Sequence, residues 1–519
     1  MVSNLWLGVA SIIIGYFGKR VINLVQKRKC AGKTPATYYF VGYGNIINVF
    51  LPRIPWIFAG HNVEFEAKHK PFAKAGQDIM ATFSFVGPQP ISIRVADPVA
   101  IKHITTSRAR FPKPVAAYRL LNVYGENIIS TEGDKWKMFR KISAPAFSDR
   151  NNRLVWDETV RIVSELFSDV WGDKDSVSVD HAVDVTLPIA LLVIGTAGFG
   201  KRVSWKEDAL APQGFTHTFK GALHMVSNHT RIKLLVPNWV YRFSKRLDRI
   251  RCAFDELELY MKEMIEERIK SEKVERHDLL SALVDSNISE DGGQVMTEDE
   301  LMGNIFIFLL AGHETTAHTL AFTFALLALY QDEQDRLFID IQSILADDEL
   351  PTYSQMPLLT RCMAVFNETL RLFPPVPGIP KFSAEDTILA TTDSEGNTVN
   401  VPIEKGSACT LAVAAMHYNP KYWKDPHAFN PDRFLDPNWP RDAFLPFSSG
   451  ARACLGRKFF ETEGIAILTM IVSKYKISIK DDPKFAGETF EQKKKRVLQT
   501  KYSITLTPVH IPLVFTKRG

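Results

Sequence analysis

The 519 residues carry 45% hydrophobic and 23% charged side chains with 29 Gly and 29 Pro, which excludes disordered, collagenous and low-complexity chains and leaves length for about three domains or one large enzyme fold. Lys+Arg 63 against Asp+Glu 58 gives a net charge of +5, too small a surplus for a dedicated nucleic-acid binder. The five scattered cysteines, Cys30, Cys252, Cys362, Cys409 and Cys454, form no C-x-x-C pair, which argues against a disulfide framework or a zinc finger and fits a reducing compartment.

At the N-terminus, residues 1–18 hold no charged side chain, and as a helix they would rise roughly 27 Å, close to the hydrocarbon thickness of a bilayer. Lys19, Arg20, Lys27, Arg28 and Lys29 follow. A cleaved signal would want its basic residues before the apolar run and a small-x-small site after it. The pattern predicts a membrane anchor over residues 1–26, with a single globular unit over 30–519 held in the cytosol by the positive-inside bias.

Further along there is no repeat, no Gly/Ser linker and no long block of one charge sign, so nothing marks an internal domain boundary. Helical periodicity predicts helices over 155–169, 248–272, 298–331, 334–346, 357–372 and 456–474; short strands are expected over 91–95, 387–391, 397–401, 407–411 and 501–515. The fold class is mainly α with a smaller β region. Thr297 with Glu300 forms a capping-box pattern at the start of the longest helix.

Within these elements several patterns carry chemistry. Trp136 and Arg140 stand at i and i+4 on one helix face, an indole N–H beside a guanidinium fork. Ala311-Gly312-His313-Glu314-Thr315-Thr316 lies midway along the longest helix, where a glycine costs about 1 kcal/mol and calls for a packing or ligand reason. A threonine hydroxyl bonding its own i−4 carbonyl opens such a helix locally and leaves room for a diatomic ligand. His313 and His318 are five residues apart, about 140° around a helix, so they cannot chelate one ion as a zincin pair does. Glu368 and Arg371 share a face at i and i+3, a pattern expected about once by chance, and Phe429-Asn430-Pro431-Asp432-Arg433-Phe434 follows.

The most informative segment runs from Phe447 through Ser448-Ser449-Gly450-Ala451-Arg452-Ala453-Cys454-Leu455 to Gly456. It fixes F-x-x-G-x-R-x-C-x-G, which chance yields on the order of once in several thousand chains of this length. Gly450 permits a tight turn and Gly456 a close approach. A cysteine on such a turn, with N–H groups directed at its sulfur, suits thiolate ligation of iron beneath a flat ligand. A buried structural cysteine is the plain alternative.

This constellation resembles the cytochrome P450 family of haem-thiolate monooxygenases, of eukaryotic microsomal and fungal type, over roughly residues 35–515. The resemblance implies the cytochrome P450 fold preceded by one N-terminal transmembrane helix, and haem b (iron protoporphyrin IX) as cofactor. It makes Cys454 the axial iron ligand, with Phe447 and Gly456 beside it. Arg452, Trp136, Arg140 and Lys381 fall where relatives hold the haem propionates, Lys381 standing in place of a more usual arginine. Glu314 and Thr315 would deliver protons during dioxygen activation. Glu368, Arg371 and Arg433 would form a buried structural network, in whose last motif Asp432 replaces the family's glutamate. The substrate pocket is expected among Tyr118, Tyr124, Phe306, Leu310, Val376 and Ile379, an apolar set suited to a hydrophobic molecule.

The implied function is hydroxylation of a hydrophobic small molecule, a terpenoid or other secondary metabolite, with O2. The implied partners are an NADPH-cytochrome reductase and cytochrome b5, with membrane lipid and no nucleic acid. Lys135, Lys137, Lys141, Arg457 and Lys458 suggest a positive patch for an acidic electron donor. Residues 234–239 suggest a second membrane contact on the endoplasmic reticulum. Two rivals stand beside this: a haem-binding sensor without catalysis, and an O2-independent peroxide isomerase or dehydratase on the same fold, whose relatives typically lack the Glu/Thr pair retained here.

Overall fold

The computed structural model describes residues 2–519 except 43–44, 46–47, 49–50, 52, 61, 88, 202–204, 206–210, 271–277, 289–294 and 346–348; the side chains of 2–10, 12–13, 231, 234–235, 238, 242, 286 and 288 also lie outside the description. The longest helix, Glu298–Leu329, begins with both arms of the capping box in place between Thr297 and Glu300, and three acidic residues occupy its first turn, where they complement the positive end of the helix. From Leu301 onward nearly every side chain is buried. Among the described residues it is the one helix long and apolar enough to cross a membrane, yet it runs through the protein interior.

Around it pack Val183–Val193, Thr360–Leu372, Lys245–Lys270 and Arg457–Lys474, and Asp149–Glu165 packs on the first and last of these. The approach to the preceding loop is close: a Cβ on Gly303 would lie 2.6 Å from the Gly125 carbonyl oxygen. Val183–Val193 was not expected from the sequence, because Pro188 reads as a helix breaker and the segment is apolar on all sides. Phe219–Leu235 was also not foreseen; Lys220, His224 and Asn228 mark one polar face at i, i+4 and i+8, and its start is marked by the Thr218 hydroxyl accepting from Gly221 N–H.

A second, smaller core lies against a five-stranded sheet in the order Ala36–Val41, Ile79–Val86, Ile91–Val95, Ala408–Leu411, Ile379–Phe382. Its neighbours alternate parallel, antiparallel, parallel and antiparallel, and Cys409 pairs with Ile93 on one side and Lys381 on the other. The strand expected over 501–515 is instead three short pieces, Thr500–Tyr502, Leu506–Pro508 and Leu513–Lys517, the last in a separate three-stranded sheet. Pro508 and Pro512 lack the donors a continuous ladder needs.

The N-terminal helix, Val2–Cys30, extends beyond the expected limit at residue 26. Its last turns join the sheet side through Leu24, an Arg20 Nη2 to Gly87 carbonyl bond of 2.8 Å and an ion pair between Lys27 and Glu404. Ile14, before these turns, and Ile22, on their outer side, are exposed.

Candidate active site

The cysteine loop sits where the two cores meet. Ser448 and Gly450 take positive φ of 58° and 68°, and a Cβ on Gly450 would lie 2.3 Å from the Thr105 carbonyl oxygen, so only glycine allows the loop to lie against helix Pro98–Thr106. The Cys454 N–H donates to the Phe447 carbonyl at 2.9 Å, closing the turn before helix Arg457–Lys474. Arg140 Nη1 donates to the Ala453 carbonyl at 3.0 Å. Gly456 N–H donates to the Cys454 sulfur. Burial pushes the thiol up, while that N–H, Arg140 and Arg457 draw it down. Phe447 packs edge-on against Phe460 at 5.5 Å. The sulfur is deep inside the protein and still has free accessible surface, so it faces an internal void.

One rim of the site is cationic. Arg452 donates to the carbonyls of Ile128 at 3.0 Å and Thr131 at 2.5 Å and pairs with Glu132 at 2.8 Å. Arg108 also pairs with Glu132, at 3.0 Å. The guanidiniums of Arg452 and Arg108 lie over the Trp136 indole at 4.3 and 4.5 Å. Lys113 places its ammonium 3.8 Å from the Tyr118 ring centroid and 2.8 Å from the Ile129 carbonyl. Burial, with the charges of Arg452 and Lys381, pulls Lys113 down to about 7. Burial, then Arg452, lowers Lys381 as well.

Here Arg108, Lys113, Lys381 and Arg452 are balanced by Glu132, and Arg452 Nε is buried without a partner. Interior positive charge of this kind requires anions. An enclosed thiol facing a void, beside surplus cations, fits a thiolate-ligated haem with two propionates. Arg108, Lys113 and Glu132 were missed in the sequence reading. The clue was there, since Lys113 is set between Pro112 and Pro114 in an otherwise apolar stretch.

On the long helix, Phe308, Ala311, Gly312 and Thr315 keep accessible surface while their neighbours are sealed. At 100° per residue these four fall within about 100° of arc, one stripe facing open space. Thr315 Oγ1 donates to the Ala311 carbonyl at 2.7 Å, and Thr316 Oγ1 to the Gly312 carbonyl at 2.9 Å. Glu314 stands on the flank of the stripe, buried, with Oε2 unpartnered; burial raises its carboxyl to about 7.

The expected pocket residues need correction in part. Phe306 and Leu310 lie about 160° from the centre of the stripe and are sealed; Phe306 meets Tyr124 edge-on at 5.0 Å. Tyr124 turns its hydroxyl to the Phe254 carbonyl at 2.8 Å. These three form packing between the long helix and helix Lys245–Lys270. Tyr118, Val376 and Ile379 keep accessible surface.

The expected carboxylate-arginine set comes together without solvent. Arg371 Nε and Nη2 donate to Glu368 at 2.7 and 2.8 Å, and Arg433 Nε donates to Glu368 Oε1 at 3.1 Å. The rest of the Arg371 fork reaches the carbonyls of His417, Pro426 and Ala428. His417, which sequence reasoning did not single out, extends the set: its Nδ1 lies 3.2 Å from the Arg371 carbonyl, and its Nε2 accepts from Leu445 N–H at 2.9 Å. Burial and Arg371 hold it neutral, at about 3. The imidazole therefore ties the Glu-x-x-Arg helix to the segment entering the cysteine loop. Asp432 stands apart from Glu368 and pairs with Arg361 at 2.8 Å.

The candidate positive patch is thinner than expected. Lys135 turns to Glu126 and Glu300, and Lys137 pairs with Asp134 at 2.7 Å. Lys141 and Lys458 stay exposed, and Arg457 pairs with Glu461 at 2.8 Å.

An enclosed thiol on a glycine-turned loop, with a cationic rim beside it, fits a haem-binding protein. The chain belongs to the cytochrome P450 family, whose model matches residues 50–506. It is 54% identical over 474 residues to "Cytochrome P450 monooxygenase 124" of Postia placenta, covering 91% of each chain. It is 30% identical to "Cytochrome P450 monooxygenase ORF6" of Penicillium roqueforti, over 77% of this chain and 76% of that one. Among solved structures, the crystal structure of the cytochrome P450DA heme domain superposes with a TM-score of 0.74 at 23% identity, covering 94% of this chain and 98% of that one. The fold is therefore that of the family, and these relatives are fungal. Family and fold together imply a haem iron cofactor and monooxygenase activity.

Proposed function

We propose that this fungal cytochrome P450 is a haem b monooxygenase that inserts one oxygen atom of O2 into an unactivated carbon of a hydrophobic small molecule, a terpenoid or another secondary metabolite. The observation that carries this is the enclosed Cys454 thiol facing a void. In the balanced reaction, substrate C–H, O2, NADPH and a proton give substrate C–OH, water and NADP+. The haem supplies the redox chemistry of dioxygen when bound.

The chain's own residues do the rest. Cys454 would hold the haem iron through its sulfur, with Gly456 N–H favouring the thiolate form. Arg452, Lys381, Arg108, Lys113 and Trp136 would hold the propionates. Thr315 and Glu314 move protons to the space beside the stripe. The apolar surface of Phe308 and Ala311 holds substrate by shape. Retention of both Thr315 and Glu314 supports dioxygen chemistry over peroxide rearrangement.

The same reading places the chain on the endoplasmic reticulum membrane through residues 1–26, with the catalytic unit, residues 30–519, in the cytosol. There it would receive electrons from NADPH-cytochrome reductase, with cytochrome b5 as an additional donor. Exposed aromatic residues support a membrane-facing surface: Trp56 is 81% exposed near Tyr38 and Phe40, Trp239 is 66% exposed in the segment expected to touch lipid, and Phe243, just beyond that segment, is 79% exposed. Leu234 and Leu235 of that segment have side chains outside the description.

The test is the reduced, carbon-monoxide-treated spectrum, followed by NADPH consumption and product analysis with purified reductase and a panel of lipophilic precursors. A red-shifted absorption typical of thiolate ligation with hydroxylated product supports the reading. A normal haem-CO band in well-folded protein overturns it, and ligation without product favours the sensor.

A further inference from the structure

Away from the cysteine loop, a second cysteine belongs to a built cluster of donor atoms. His217 stands in the turn before helix Phe219–Leu235, and Cys252 and Glu256 are one turn apart on helix Lys245–Lys270. One ligating atom from each lies within 4.8 Å of the others. His217 Nδ1 is 2.7 Å from Glu256 Oε2, and Cys252 Sγ is 3.4 Å from Glu256 Oε1. The His217 and Glu256 side chains are only 10% and 8% exposed.

The surroundings hold these groups in place. Glu256 accepts from the N–H groups of Thr216 at 2.5 Å and His217 at 2.9 Å. The Tyr260 hydroxyl pins the turn through the His217 carbonyl at 2.9 Å. His217 Nε2 is buried without a partner. Thr216 Oγ1 stands 3.5 Å from the Cys252 sulfur on the solvent side.

We propose that His217, Cys252 and Glu256 bind one divalent metal ion of borderline softness, with zinc the best match, water completing the tetrahedron from the open side. Thiolate, imidazole and carboxylate are the donors zinc takes. With bonds of about 2.0 to 2.3 Å, a tetrahedral ion sets its donors roughly 3.3 to 3.7 Å apart, so the His217–Glu256 pair at 2.7 Å must open slightly while the widest pair, within 4.8 Å, draws in. Thiolate and carboxylate together neutralise the dication, which suits a largely enclosed site. The Cys252 thiol proton leaves to solvent as the metal–sulfur bond forms. Bound metal would fasten the turn before one helix to the flank of the next.

The test uses full-length holoenzyme treated with a chelator, dialysed against micromolar zinc, and read by metal analysis and zinc-edge X-ray absorption. The expected result is one zinc per chain, with one sulfur at about 2.3 Å and nitrogen or oxygen at about 2.0 Å. Cys252→Ser should lose the sulfur and at least tenfold in affinity, His217→Gln should weaken binding similarly, and Cys30→Ser should change neither. No retained zinc, zinc without a sulfur neighbour, or Cys252→Ser binding as tightly as the parent would overturn the site. The reduced carbon-monoxide spectrum of each variant reports folding around Cys454 separately, so failure of the haem reading and of the zinc site remain distinguishable.

Discussion

Glu463, on the helix that leaves the cysteine loop, shares a hydrogen bond with Thr316 on the long helix. The Thr316 hydroxyl, which also donates to the Gly312 carbonyl at 2.9 Å, favours the ionised carboxylate of Glu463. Burial outweighs this and keeps the carboxyl protonated, well above the usual carboxylate range. A neutral acid thus joins the helix behind the thiol to the one lining the open space.

That protonation sets a pH dependence. Above the carboxyl's ordinary range the unfolded chain has released the proton that the native state keeps, so stability falls as pH rises, by about 1.4 kcal/mol per unit for one proton. Glu463→Gln keeps a donor and cannot titrate. Its thermal midpoint should gain on the parent between pH 5 and pH 8, and an unchanged gap would show that Glu463 is ionised in the folded protein.

Glu314 is another raised carboxyl, at about 7. Product formation per NADPH should decline as pH climbs through that value, because the protonated form is the one lost. Glu314→Gln should remove this limb and lower turnover by about 100-fold, the lower end for a positioned proton donor. Thr315→Ala should divert NADPH toward peroxide or water without product, measured as uncoupled NADPH oxidation.

The two glycines around Cys454 should behave differently. Gly450→Ala meets both a φ of 68° and the Thr105 carbonyl at 2.3 Å, so the loop must move and the thiolate signature in the carbon-monoxide spectrum should be lost. A Cβ on Gly456 meets no protein atom closer than Phe147 at 3.8 Å. Gly456→Ala should fold normally as apoprotein and retain haem more weakly, a contrast read by haem content against circular dichroism.

Removing Arg371 leaves Glu368, in a solvent-free interior, with Arg433 as its one remaining cationic partner, a loss of about 3 kcal/mol, the lower end for a broken buried pair. Arg371→Ala should give little folded protein and almost no haem-loaded fraction. His417→Phe removes the imidazole that receives Leu445 N–H and should cost about 1–3 kcal/mol for the orphaned donor, seen as faster haem loss on heating.

The cysteine loop, the Thr/Glu pair and the carboxylate-arginine set were legible because each rests on short-range spacing and on residue types with few substitutes. The phase of the long helix was not. Buried on nearly every side, it carries no polar face to show which stripe meets open space, which is why Phe306 and Leu310 were expected where Phe308 and Ala311 stand. Arg108, Lys113, Glu132 and His417 also escaped, since their meaning comes from groups distant in the chain. Val183–Val193 escaped as well, because Pro188 falls inside it; packing of its buried residues, Ile189 and Leu191 among them, outweighs that local preference.

The glycine at the middle of the long helix has its own consequence. A Cβ on Gly312 would point at Ile194, with Cδ1 at 3.1 Å, so the ceiling that this helix stripe gives the open space is backed by a side chain from another element. Trimming Ile194 would let that ceiling retreat and admit a bulkier guest, although Ile194 itself is sealed behind the wall.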